Sequence, residues 1–87
     1  SFTLHPAYPN PFNPEVTIPF VLNKVDRISI SIYDLKGRLI EVLANEVYNV
    51  GVHKLNWNAE KYPSGIYFVQ FENSEKLKFS SKITLVK

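Results

Sequence analysis

His5 and His53 are the first residues to test for chemistry, because imidazole is the commonest general base and metal ligand. They stand far apart in the sequence, with no cysteine in the chain and no cluster of carboxylates near either. A metal site needs three or four converging ligands, so no metal is expected and both histidines read as strand or loop side chains. A serine nucleophile would need a strained G-x-S-x-G elbow between a strand and a helix. Ser64 lies instead in Pro63-Ser64-Gly65, a turn sequence in which a hydroxyl bonds locally. The aspartates are Asp26 and Asp34, both at turn positions, and Asp34 followed by Gly37 fits a β-turn with Asp first and Gly fourth. Phosphate loops, dinucleotide fingerprints and EF-hand spacings are absent. The residues therefore predict no catalytic group and no cofactor site. Aromatic stacking on a glycan is the fairer rival, through Tyr8, Phe12, Trp57, Tyr62 and Tyr67, although a small β core claims the same rings.

The elements that would position these groups are strands. Val16, Ile18, Phe20 and Leu22 share one parity, as do Ile28, Ile30 and Ile32, with Ser29, Ser31 and Tyr33 opposite. Leu77, Phe79, Ile83 and Leu85 alternate with Lys76, Lys78, Ser80, Lys82 and Thr84. Such period-two patterns mark half-buried strands. Leu55 and Trp57 predict another inward face, and residues 66–72 read as a central strand covered on both sides. Residues 38–43 are ambiguous, since Ile40 and Val42 compete with Leu39 and Leu43 for the core. Turn signals recur at Asn23-Lys24, Asp34 to Gly37, Asn49 to Gly51, Tyr62 to Gly65 and Asn73-Ser74. With a short strand at Phe2 to Leu4, this spacing predicts an all-β, immunoglobulin-like antiparallel β-sandwich of about seven strands.

Four details refine that fold. Pro6, Pro9, Pro11 and Pro14 make the segment before the second strand a stiff, extended loop, in which Phe12 reads as a plug closing one end. Pro19 places its strand at an edge or gives it a bulge. Tyr67, just after Gly65 at a strand start, resembles the tyrosine corner of β-sandwiches, with Val69 as the next inward residue. The lysines at 76, 78, 82 and 87 form a basic face whose plain role is to block stray sheet pairing.

Length and charge narrow the function classes. The 87 residues make one domain, 1–87, with a thin core. Ten Lys and Arg against eight Asp and Glu give a net charge of +2, which leaves no strongly basic footprint for nucleic acid. No apolar run is long enough to span a bilayer, so no stable membrane insertion is expected. No signal peptide is visible. The chain does not begin with methionine, and it reads as a fragment of a larger protein.

The motifs go further than the composition. Tyr8-Pro9-Asn10-Pro11-Phe12-Asn13-Pro14 is similar to the opening signature of the C-terminal sorting domains of the type IX secretion system, the Por secretion tail family, type A. The family's later blocks follow in order: Tyr33-Asp34-Leu35-Lys36-Gly37-Arg38, then Gly51-Val52-His53, then Pro63-Ser64-Gly65-Ile66-Tyr67-Phe68, and a closing Lys82-Ile83-Thr84-Leu85-Val86-Lys87. Together they cover nearly the whole chain. The resemblance implies a non-catalytic address at the end of a secreted protein. An upstream passenger would reach the periplasm by its own signal. The outer-membrane translocon would then recognise the folded tail and release the cargo outside the cell or at its surface, with a sortase-like enzyme processing some members. On this reading the translocon contacts are Lys82, Ile83, Thr84, Leu85, Val86 and Lys87, on an accessible strand able to pair by edge addition. The family signature is Pro9, Asn10, Pro11, Asp34, Gly37, Gly51, Gly65 and Tyr67, and the loop from Tyr8 to Pro14 is the rival recognition patch. A glycan-binding or adhesive module, and a structural spacer, are the alternatives.

Overall fold

The computed structural model describes residues 2–87. Seven strands follow in order: β1 (Phe2–Leu4), β2 (Glu15–Leu22), β3 (Asp26–Asp34), β4 (Leu39–Tyr48), β5 (Gly51–Asn58), β6 (Gly65–Glu72) and β7 (Lys78–Leu85). They form a three-stranded sheet, β1-β2-β5, facing a four-stranded sheet, β4-β3-β6-β7. All pairings within the two sheets are antiparallel. Hairpins join β3 to β4 and β6 to β7, and a longer loop returns β1 beside β2 in the same sheet; the connections β2 to β3, β4 to β5 and β5 to β6 change sheet, as in immunoglobulin-like sandwiches. The fold class expected from the sequence is the one observed.

The period-two arithmetic decides what the two sheets bury. Val16, Ile18, Phe20 and Leu22 point from β2 into the gap between the sheets, opposite Ile28, Ile30 and Ile32 of β3. Tyr67, Val69 and Phe71 of β6, Ile83 and Leu85 of β7, and Trp57 of β5 join them, with Ala7, Phe12, Ala44 and Ala59 filling in around. Each fully buried aliphatic or aromatic side chain of this kind stabilises the fold by about 1.5–3 kcal/mol relative to exposure. Residues 66–72 lie in β6, between β3 and β7, so the strand is central; it is not buried on both faces, since Tyr67, Val69 and Phe71 are buried and Ile66, Phe68, Gln70 and Glu72 are half-buried.

The ambiguity of residues 38–43 has a physical cause. The pairing of β3 with β4 slips between Ile30 and Ser31 and again between Ile32 and Tyr33. Leu43 and Ile40 are left opposite the slips and pack partly on the core, whereas Leu39 and Val42 are exposed. A β-bulge reverses the facing of every later residue, so no single parity collects the apolar side chains of β4.

Two expectations need correction. Pro19 lies on neither an edge strand nor a bulge: β2 is the middle strand of its sheet, in continuous register with β5. The His5 N–H donates to the Pro19 carbonyl at 3.2 Å. In such a pair the return bond is the one proline cannot make, so its missing donor falls just beyond the end of β1 and costs a single ladder bond. Leu77 and Phe79 were expected on the inward face of the last strand, but they are 50% and 49% exposed. Leu77 precedes β7, in a turn where the Asn73 side-chain oxygen accepts from the Glu75 and Leu77 N–H groups at 2.9 and 3.0 Å. Phe79 faces the short β1, which covers too little of the opposite sheet to bury it; its ring meets Phe2 edge-on at 5.3 Å.

Candidate recognition surface

One end of the sandwich gathers most of the motif residues. β2 begins there, β3 and β5 finish there, and β6 starts beside the end of β7, since Glu15 pairs with Asn58, Asp34 with Tyr67 and Gly65 with Leu85. The segment from Tyr8 to Pro14 crosses this end. Tyr8 is pinned to Thr17 by reciprocal backbone bonds of 2.9 and 2.8 Å. Phe12 is buried against Trp57, with ring centroids 5.8 Å apart, in the plugging position its sequence context suggested.

From that anchor the loop seals the outer edge of β7. The Phe12 N–H donates to the Thr84 carbonyl and the Val86 N–H donates to the Phe12 carbonyl, each at 2.9 Å. Asn10 continues the pattern with its side chain: Nδ2 donates to the Lys82 carbonyl at 3.2 Å and Oδ1 accepts from the Thr84 N–H at 3.0 Å. A carboxamide carries one acceptor and one donor group side by side, so Asn10 imitates a residue of a neighbouring strand. The end of the sequence is fastened as well. The Lys87 N–H donates to Ser64 Oγ at 3.1 Å and the Lys87 ammonium donates to the Glu60 carbonyl.

This arrangement corrects the picture of the tail as an open strand. The outward main-chain groups from the Lys82 carbonyl to the Val86 N–H are already paired, so edge addition is blocked there in the folded chain. Ile83 and Leu85 are core residues, 0% and 1% exposed, and offer no surface to a partner. Lys82, Val86 and Lys87 remain exposed, with Thr84 partly so, and they lie beside the Pro-Asn-Pro loop. The two rival patches, Tyr8 to Pro14 and Lys82 to Lys87, are one surface.

The neighbouring turns are built by local chemistry. Asp34 Oδ1 accepts from the N–H groups of Lys36 and Arg38, each at 2.9 Å, and Oδ2 accepts from Arg38 Nε at 2.8 Å. The Arg38 backbone bond, more than any other contact, holds the Asp34 carboxyl below its ordinary range. Gly37 closes this turn at φ +82°, a left-handed conformation that favours glycine. The Tyr67 hydroxyl donates to the Pro63 carbonyl at 2.6 Å, which is the tyrosine corner foreseen in the sequence. Burial, and then the Asp34 charge, raise its pKa. A cleft of about 340 Å³, lined by Asp34, Arg38, Tyr62, Ser64 and Ile66 among others, separates the two turns.

Pro9, Asn10, Pro11, Asp34, Gly37, Gly65 and Tyr67 thus share this end with the tail. Gly51 does not: it pairs with Leu22, at the opposite end of β2. Glu41 was missed from the sequence. Its Oε1 accepts from Trp57 Nε1 at 3.1 Å and from the Tyr62 hydroxyl at 3.2 Å. The need of a buried indole for an acceptor was the available signal. The aromatic platform of the glycan-binding alternative does not form. Trp57, Phe12 and Tyr67 are buried, and Trp57 packs on Tyr62 and Tyr67 at 5.7 and 5.5 Å. Among the described residues no three His, Cys, Asp or Glu side chains converge to hold a metal ion.

A seven-stranded immunoglobulin-like sandwich, with an N-terminal Pro-Asn-Pro loop laid along its last strand, defines the class of module. The family model for the secretion system C-terminal sorting domain matches residues 6–86, and the chain belongs to that family. Among solved structures it is similar to PorZ of Porphyromonas gingivalis, an essential bacterial surface component of the type IX secretion system, at 26% identity and a TM-score of 0.65. That match covers 97% of this chain and 11% of PorZ. No curated protein matches the chain.

Proposed function

We propose that residues 1–87 are the C-terminal sorting domain of a larger secreted protein, and that they direct an upstream passenger across the outer membrane through the type IX translocon to the cell surface or the medium. The domain performs no reaction itself. A sortase-like enzyme is its second partner where the passenger is released. Family membership and the likeness to a component of this secretion system support the reading. The observation that carries the mechanism is the pairing of Asn10 and Phe12 with the Lys82–Val86 edge.

Because of that pairing, the translocon meets an assembled end rather than a free strand. Its readable groups are Lys82, Thr84, Val86 and Lys87, flanked by Pro9, Pro11 and the Asp34–Arg38 turn. Ile83 and Leu85 act by fastening the strand to the core. Prolines restrict the loop before binding, so presenting it costs little further ordering. The address is then complete only once the domain has folded, which suits machinery that accepts folded cargo. The test uses a signal-peptide reporter fused to residues 1–87 in a type IX-competent host. The fusion is exported, and its Val86→Asp, Lys87→Glu variant is folded but retained. Equal export of that variant contradicts the assignment of the tail surface.

A further inference from the structure

The seal on β7 is incomplete. Residues of even number in this strand turn their main-chain groups away from β6, as the bonds of the Lys82 carbonyl and of Thr84 with Asn10 make plain. Asn10 is the last loop residue to reach the strand. Beyond it, the N–H of Lys82 and both main-chain groups of Ser80 and Lys78 have no partner among the described residues, although they belong to a regular strand. Unpaired, unbulged strand edges are templates for a further strand.

The surroundings specify what that strand would be. Beside this edge the two sheets part over the short β1. The resulting cleft of about 350 Å³ has walls that include Leu4, Ile18, Val69, Phe71 and Phe79. Every second side chain of an added strand would enter it. The alternate side chains would lie on the outer face, next to Lys78 and Lys82. Both lysines are exposed, and neither has a carboxylate within ion-pair distance among the described residues.

We infer that the Lys78–Lys82 edge of β7 is a β-addition site for an extended peptide of another protein that alternates apolar with acidic residues. The inference does not depend on the export reading. A second copy of this chain is a poorer occupant. Its β7 would set Lys78 and Lys82 against like charges, and its β1 carries no carboxylate. Its β4 is bulged, with Glu41 already bound to Trp57 and Tyr62 and Glu46 accepting from the Tyr48 hydroxyl, and its β5 carries no carboxylate.

The test is an amide-resolved NMR titration of the whole chain with a short synthetic peptide alternating Glu with Ile or Val. The Lys78, Ser80 and Lys82 amides shift saturably and exchange more slowly when the peptide is bound. Lys78→Glu with Lys82→Glu weakens binding roughly tenfold, through two reversed cross-strand charge pairs, without changing the free spectrum elsewhere. Ser80→Pro removes an outward donor that no described residue uses, and it abolishes binding. Shifts confined to other surfaces, equal binding of a peptide with Lys in place of Glu, or self-association of the chain through this same edge would each overturn the inference.

Discussion

Asn10 bridges the two strand residues that flank Ile83. Its amide nitrogen donates to the Lys82 carbonyl and its oxygen accepts from the Thr84 N–H, so a loop early in the sequence pairs the C-terminal half of the outer edge of its last strand. Asn10→Ala exposes both groups to water and loses the restraint on the loop. A destabilisation of about 1–2 kcal/mol is expected, because each net hydrogen bond contributes about 0.5–1.5 kcal/mol. Denaturant unfolding measures it, and faster hydrogen exchange at the Thr84 amide localises it.

Glu41 satisfies the indole of the largest core side chain. Glu41→Gln keeps an oxygen acceptor for Trp57 and Tyr62 and should cost little. Glu41→Ala leaves the buried indole N–H without a partner and should cost about 1–3 kcal/mol. Tyr62→Phe removes one of the two donors and should fall between them. Unfolding curves followed by Trp57 fluorescence rank the three variants.

Asp34 predicts a particular acid response. Its folded pKa lies below that of an ordinary aspartate, mainly through the Arg38 backbone bond. Between the folded and unfolded pKa values the unfolded chain binds more protons, so stability rises with pH there. The contribution is complete above the unfolded value and is lost as pH falls through the folded one. The advantage of the native chain over Asp34→Asn should therefore be constant near neutrality and shrink below about pH 4. Urea midpoints across that range measure it.

The tyrosine corner gives a simpler test. Tyr67→Phe keeps the ring against Trp57 but removes the donor to the Pro63 carbonyl. A loss of about 1 kcal/mol is expected, with the Pro63–Gly65 turn loosened, as amide exchange in that turn would register.

The sheets were legible in the sequence wherever alternation was unbroken. The isoleucines of β3 and the even-numbered apolar residues of β2 declared their faces, because a strand in regular register has only two sides. β4 was not legible, since its slips at Ile40 and Leu43 depend on a partner strand that the local pattern does not contain. Pro19 misled for a similar reason: its effect depends on where β1 stops. Phe79 looked like a core residue because parity cannot report how little the opposite sheet covers it.

The candidate recognition surface was half legible. Its two segments were each visible as motifs, and Phe12 was read correctly as a plug. What could not be read was their union, because Asn10 meets Lys82 and Thr84 through the closed fold rather than through any local spacing. Gly51 shares the motif pattern yet lies at the far end, so membership in a signature did not by itself locate a residue.

Export of a folded reporter tests the central claim most directly. A signal-peptide reporter joined to residues 1–87 is to be expressed in a host with a type IX system, beside the same fusion in an isogenic strain lacking the translocon. The sorting role predicts reporter activity at the surface or in the medium of the first strain and in the periplasm of the second. A correctly folded fusion that remains periplasmic in both strains would contradict it.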